Sequence, residues 1–172
     1  MSSILPSRLV FRKARILFFG LLFLASTSFS QSIAYKTLLD GLYDKTFPTV
    51  KAEQINDLSN YQVLDTREKE EFDVSHLSGA KWVGFETFNL KNVAELDRNQ
   101  PVLVYCTVGA RSQEIGKKLL EAGFTRVYNL YGGIIHWSNS EKPLESEGIP
   151  TKKVHTYTRT WGVWLSKGEK VY

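Results

Sequence analysis

Two rhythms of apolar positions run along the chain. Val102, Leu103, Val104 and Tyr105 form an unbroken apolar run of strand length, as expected of a strand covered on both faces in a parallel sheet. Tyr61 to Leu64, Lys81 to Val83 and Arg126 to Leu130 predict further strands, and a short one is expected near Phe47. Helical spacing fills the intervals. Ile33, Leu38, Leu39 and Leu42 mark a short amphipathic helix over Ile33 to Lys45, weakened by Gly41, and a turn and helix are predicted over Ala52 to Leu58. Acidic residues from Glu68 to Phe72 suit a helix start, and a charge run of this kind reads as a solvated face. After Ser112, a candidate N-cap, Ile115, Leu119 and Leu120 share one face, with Gly123 as the stop; Ile134 to Trp137 begins a last helix. Strands alternating with helices predict an α/β fold with a parallel sheet. Phe85 to Leu96 is an aromatic-rich connection in which Phe85 and Phe88 belong to the core.

Beyond Pro143 and Pro150 the pattern changes. Val154 to Tyr172 alternates through Val154, Thr156, Thr158 and Thr160, with Lys167 and Gly168 as a turn, and predicts a strand or hairpin. Tyr157, Trp161, Trp164 and Tyr172 give it an aromatic face, which either caps the core, binds a partner or shields the site.

The candidate chemistry follows the apolar run directly. Cys106 is the single cysteine and opens the loop Cys106, Thr107, Val108, Gly109, Ala110, Arg111, Ser112. In open α/β sheets ligands bind beyond the carboxyl ends of the strands, where this loop falls. A thiol facing a helix N-terminus and an arginine is favoured in its nucleophilic, thiolate form. Gly109 lets the backbone turn its N–H groups inward as an anion-binding nest, and Arg111 adds a planar donor fork. A lone cysteine ending a buried strand is also commonly just a small hydrophobe; the glycine and arginine that follow it favour the chemical reading.

The loop resembles the active-site loop of the rhodanese family of sulfurtransferases. Val63 to Ala80 is similar to that family's first signature, with Asp65, Arg67, Glu71, Phe72, His76, Gly79 and Ala80 in register, and Gly123 to Trp137 resembles its closing strand, double glycine and tryptophan. Ser75, Leu77 and Ser78 depart from the usual Gly, Ile and Pro, which concerns a turn and not the chemistry. The resemblance implies an α/β, rhodanese-like open parallel sheet flanked by helices, here with a short C-terminal β extension. It implies Cys106 and Arg111 as catalytic residues and Thr107, Val108, Gly109, Ala110 and Ser112 as the substrate-binding loop. Asp65 and Arg67 would shape the pocket or serve structure alone. His76 would pack and hydrogen-bond within a loop, and His136 would lie at the surface or in packing. Cys106 and Arg111 enclose four residues, the sulfurtransferase length; the related dual-specificity phosphatases have one more.

Under that resemblance the Cys106 thiolate attacks the outer sulfur of a donor such as thiosulfate, sulfite leaves, and cyanide or a thiol removes the sulfur from the persulfide. The absence of a second basic residue beside Arg111 leaves the preference for thiosulfate open. The alternative is a non-catalytic sulfur-binding or protein-interaction module whose aromatic tail docks a protein partner; the intact Cys106 to Arg111 loop argues for the enzyme. No cofactor is expected. One Cys and three scattered His lack the spacing of a metal site.

Composition narrows the partners and the compartment. The 22 Lys and Arg exceed the 18 Asp and Glu by four, and four basic residues, Arg8, Arg12, Lys13 and Arg15, lie within residues 1–30, which hold no acid. The remainder is balanced, so no nucleic-acid partner is expected. The basic stretch, the apolar run Ile16 to Ala25 and Ser28 and Ser30 at −3 and −1 read as a cleaved export signal with the cut before Gln31. An uncleaved anchor is the rival, but the run is shorter than the roughly 20 residues a span needs, so no stable membrane span is expected after cleavage. A periplasmic or secreted protein follows, and a single Cys suits an oxidising compartment. The predicted organisation is a signal peptide over 1–30, a helical extension over 31–46, the rhodanese-like domain over 47–150 and the β extension over 151–172. At 172 residues the chain is too short for two such modules. N-terminal sequencing after expression in a bacterium should find Gln31 first in the extracytoplasmic fraction; an intact Met1 terminus in the membrane fraction would favour the anchor.

Overall fold

The computed structural model describes residues 33–172, so the predicted export signal and its predicted cut before Gln31 lie outside the described residues. Among the described residues the first helix (α1) covers 33–42 and so ends short of the predicted Lys45. Asp44 ends it by accepting from the Thr46 N–H and hydroxyl, a side-chain turn that competes with the helix.

Five strands build one parallel sheet: β1 (Thr49–Val50), β2 (Gln62–Asp65), β3 (Lys81–Trp82), β4 (Val102–Tyr105) and β5 (Val127–Leu130), in the order β1-β5-β4-β2-β3. The apolar run from Val102 is thus the central strand, and all four of its residues are buried. Helix α2 (Lys69–Val74) carries the chain from β2 outward to β3, and α3 (Ala110–Glu121) carries it from β4 to β5, the opposite way along the sheet. The loops after β2 and β4 therefore diverge at neighbouring carboxyl ends and leave a crevice between them. Val102 and Val104 pack with Phe47, Leu64, Ile115, Leu119, Phe124 and Val127 in one core, against which Phe85 and Phe88 rest. By the two-residue period Leu103 and Tyr105 face the other side.

The predicted helix over Ala52 to Leu58 is replaced by two single 3-10 turns, Ala52–Gln54 and Leu58–Asn60. The Gln54 side chain accepts from the Lys51 N–H and the Asp57 carboxylate from the Ser59 N–H, so local side-chain bonds break the segment in two. Ser112 is not the N-cap of α3: Gly109, at φ 99°, takes that place, and Ser112 is buried within the first turn.

Helix α4 (Gly133–Asn139) follows β5, and a small antiparallel pair, β6 (Leu144–Ser146) and β7 (Ile149–Thr151), comes next. The tail corrects the hairpin reading. Strands β8 (Lys153–His155) and β9 (Glu169–Val171) pair in parallel, with the short helix α5 (Arg159–Gly162) between them. Parallel strands require a crossover. Tyr157, in the left-handed region at φ 65°, turns the chain out of β8, and the Thr158 hydroxyl caps α5 by accepting from the Trp161 N–H. Gly168 leads into β9 and is not a hairpin apex. The aromatic residues do not form one face: Tyr172 lies under Arg159 and Tyr157 under Arg111. No helix among the described residues is long and apolar enough to cross a membrane.

Candidate active site

Cys106 follows β4 at the centre of the sheet edge, and the conformation of its loop is set by where four carbonyls go. The Cys106 carbonyl accepts from the Ile134 N–H at 2.9 Å and the Thr107 carbonyl from the Ile135 N–H at 3.3 Å. The Val108 carbonyl accepts from the Tyr43 hydroxyl at 2.5 Å, and the Gly109 carbonyl from Asn129 Nδ2 at 2.8 Å. Every one is held from outside the loop. Because trans peptide planes place C=O and the next N–H on opposite sides, the N–H groups of Thr107, Val108, Gly109 and Ala110 turn the other way. The Gly109 N–H lies 3.1 Å from Cys106 Sγ. The loop opens α3, a helix of 12 residues, and a helix start of this kind, with N–H groups turned inward, favours an anion.

The holders are themselves fixed. Tyr43 also accepts from the Gly132 N–H at 2.7 Å, and Asn129 Oδ1 accepts from the Ser112 hydroxyl at 2.7 Å. Gly109 and Gly133 are required sterically. A Cβ at Gly109 would lie 2.0 Å from the Tyr43 hydroxyl, and one at Gly133 would lie 2.3 Å from the Cys106 carbonyl oxygen. Both also have positive φ.

Arg111 is tied to α2. Its Nη2 donates to both oxygens of Glu71, at 3.0 and 2.9 Å, and to the Thr107 hydroxyl at 3.0 Å, while Nη1 lies 3.6 Å from Glu68. Thr107 donates to Glu71 Oε1 at 2.7 Å. Glu71 is buried, and the acidic run is therefore not simply a solvated face. Burial works against the Arg111 charge, but Cys106 and Glu71 outweigh it and raise its pKa. Glu71 also accepts from the Glu68 N–H, in a reciprocal cap that starts α2.

Asp65 and Arg67 lie deeper, both fully buried, as an ion pair with Arg67 Nη2 at 2.7 Å from Asp65 Oδ2. The same nitrogen donates to the Ser75 carbonyl at 2.5 Å, at the end of α2. The pair thus anchors the helix that carries Glu71 and offers no charge to solvent. Burial opposes the Arg67 charge, and Asp65 and Tyr105 overcome it to raise its pKa. His76 stacks on Phe72 with centroids 4.0 Å apart, its Nδ1 3.0 Å from the Phe72 carbonyl oxygen. His136 pairs with Glu53 at 3.2 Å. The tail reaches the site as well. The Tyr157 ring lies 4.7 Å from the Arg111 guanidinium carbon, and burial lowers the pKa of His155, with Glu71 countering and Arg67 and Arg111 adding to the effect.

Of the residues the sequence singles out, Cys106, Thr107, Val108 and Gly109 form the loop after β4, and Ala110, Arg111 and Ser112 lie in the first turn of α3. Asn129 and Tyr43 were not foreseen as contributors, and Glu71 and Tyr157 were named without a contact to the loop. Asn129 was detectable as a polar residue inside the apolar strand Val127–Leu130, and Glu71 from its spacing to Glu68. Tyr43, distant in sequence, carried no local signal, and Tyr157 was named only as one residue of an aromatic face with three possible roles. Among the described residues no cluster of His, Cys, Asp and Glu is arranged to hold a metal ion.

The family model described as Rhodanese-like domain matches residues 49–140. Proteins named tRNA uridine(34) hydroxylase are similar to the chain: that of Photorhabdus laumondii is 32% identical over 133 residues, covering 69% of this chain and 37% of that protein. That of Pectobacterium carotovorum is 30% identical, covering 68% and 36%. The chain thus spans little more than a third of the relatives' length. Among solved structures, the Rhodanese-like domain of an Anabaena protein aligns with a TM-score of 0.53 at 22% identity, covering 59% of this chain and 80% of that one. A thiosulfate sulfurtransferase of Pseudomonas aeruginosa aligns with a TM-score of 0.52 at 26% identity, covering 58% and 20%.

Two variants test the geometry. Gly133→Ala should destabilise the fold by about 3 kcal/mol, combining a left-handed backbone with a clash against fixed backbone, whereas Gly79→Ala, also at positive φ but in open space, should cost about 1 kcal/mol; urea unfolding compares them. Glu71→Ala should cost about 2 kcal/mol by removing the buried carboxylate that holds both Arg111 and Thr107, leaving Arg111 only Glu68 as an ionic partner. A loss below about 0.5 kcal/mol would contradict the role given to that pair.

Proposed function

We propose that this chain, which belongs to the rhodanese-like domain family, is an exported sulfurtransferase that moves sulfane sulfur through a persulfide on Cys106. The observation that carries the reading is the loop itself: a lone cysteine with the Gly109 N–H at its sulfur and Arg111 beside it, in a cradle too short for a phosphatase. The thiolate attacks the outer sulfur of a donor. With thiosulfate, the new S–S bond to Cys106 forms as the old one breaks, sulfite leaves with the electron pair, and the persulfide anion stays in the nest. The inward N–H groups stabilise that anion as charge moves to the terminal sulfur. Cyanide or a thiol then attacks the terminal sulfur and returns the Cys106 thiolate. The basic and apolar stretches within residues 1–30 support export.

A second reading comes from the relatives. The name tRNA uridine(34) hydroxylase belongs to proteins of which this chain covers 37% or less in the two cases above, and 32% identity over 133 residues favours a related activity on RNA. The balanced charge of residues 31–172 weighs against it, since nucleic-acid binding rests chiefly on basic contacts to phosphate.

Initial rates with a sulfane donor and cyanide, followed as thiocyanate, should give the parallel-line pattern of a two-step exchange and fall to background in Cys106→Ser. Thiocyanate formation unchanged in Cys106→Ser would overturn the reading. Modification of uridine in added tRNA, without sulfur transfer, would establish the second one.

A further inference from the structure

The segment after residue 140 lies outside the region matched to the family, yet it places a side chain directly on Arg111. Strand β8 packs on α2 and α4, and at its end Tyr157 adopts a left-handed conformation that Gly or Asn takes far more readily. Its N–H donates to His155 Nδ1 at 3.2 Å, and the next residue's N–H donates to the Thr156 carbonyl at 2.7 Å. Backbone strain of this sort concentrates where a side chain must be aimed. Here the turn delivers the phenol ring to the guanidinium of Arg111, 4.7 Å from its central carbon, while half of the residue remains exposed.

The consequence is electrostatic. One edge of Arg111 is committed to Glu71 and Thr107, its Nη1 faces Glu68, and Tyr157 lies against the guanidinium. The arginine that an incoming anion would seek is thus neutralised by two carboxylates and screened by an aromatic ring. A small dianion drawn towards Arg111 meets Glu68 and Tyr157 there and not an open cation.

Building on the sulfurtransferase reading, we propose that Tyr157 is a specificity-determining residue, screening Arg111 so that Cys106 takes sulfur from thiol-borne persulfide donors, which carry at most one charge, in preference to the thiosulfate dianion. With such a donor, R–S–SH, the Cys106 thiolate forms a bond to the terminal sulfur, the R–S bond to that sulfur breaks, and R–S⁻ leaves with the electron pair. No oxidant or reductant is consumed.

Two variants separate ring from backbone: Tyr157→Asn removes the ring from a position Asn tolerates, and Tyr157→Phe keeps it. Cys106 alkylation by iodoacetate and by iodoacetamide gives an anionic-to-neutral rate ratio that needs no turnover. Tyr157→Asn should raise that ratio by about threefold or more, the scale of one partly exposed cation–π contact, and Tyr157→Phe should match the parent. The ratio of kcat/KM for thiosulfate to that for 2-hydroxyethyl persulfide should rise in parallel, mainly through KM for thiosulfate. An alkylation ratio unchanged in Tyr157→Asn, with urea midpoints showing that it folds, overturns the proposal. Absence of sulfur transfer from either donor would instead count against the sulfurtransferase reading, while the alkylation ratio still decides whether Tyr157 screens the site.

Discussion

The arrangement depends on one constraint: the carbonyls of Cys106, Thr107, Val108 and Gly109 must all be satisfied from outside their loop. Unpaired buried backbone groups are costly, so each carbonyl has a partner from elsewhere in the fold. Two come from the first turn of α4, one from Tyr43 after α1, and one from Asn129 in β5. Peptide planarity then turns the opposing N–H groups the other way, and that of Gly109 lies at the thiol. The nest is therefore a property of the fold and not of the loop sequence alone.

A second layer fixes the charge. Asp65 and Arg67 hold the two ends of the β2–α2 connection, α2 carries Glu71, and Glu71 holds Arg111 and Thr107. Glu71 accepts from Arg111, Thr107 and Glu68, and Asp65 takes three donors of Arg67, so both buried carboxylates are well satisfied. The Nη2 donors of Arg111 are held by Glu71 and Thr107, and its Nη1 faces Glu68. Under the proposed sulfur transfer, an arginine so held would orient charge at the loop without drawing in every passing anion.

Much of this was legible in the sequence. The continuous run Val102–Tyr105 announced the central strand because burial on both faces leaves no polar positions, and the loop that followed announced the chemistry. The segment Ala52 to Leu58 misled because apolar spacing says nothing of Gln54 and Asp57 capturing nearby N–H groups. The tail misled because alternation fits a parallel pair as well as a hairpin, and the decision rested on a left-handed Tyr157 and a Thr158 cap. Tyr43 and Tyr157 lie 63 residues before and 51 residues after Cys106. Only the folded chain brings them to the loop.

The central claim, that Cys106 carries sulfur, is tested most directly by intact mass spectrometry of the protein after a single exposure to a sulfane donor, before and after cyanide, beside Cys106→Ser. The account predicts a gain of one sulfur atom on the parent chain, lost with cyanide as thiocyanate and absent in the variant. A free thiol that gains no sulfur from thiosulfate or from a thiol-borne persulfide would contradict it and favour the protein-interaction module.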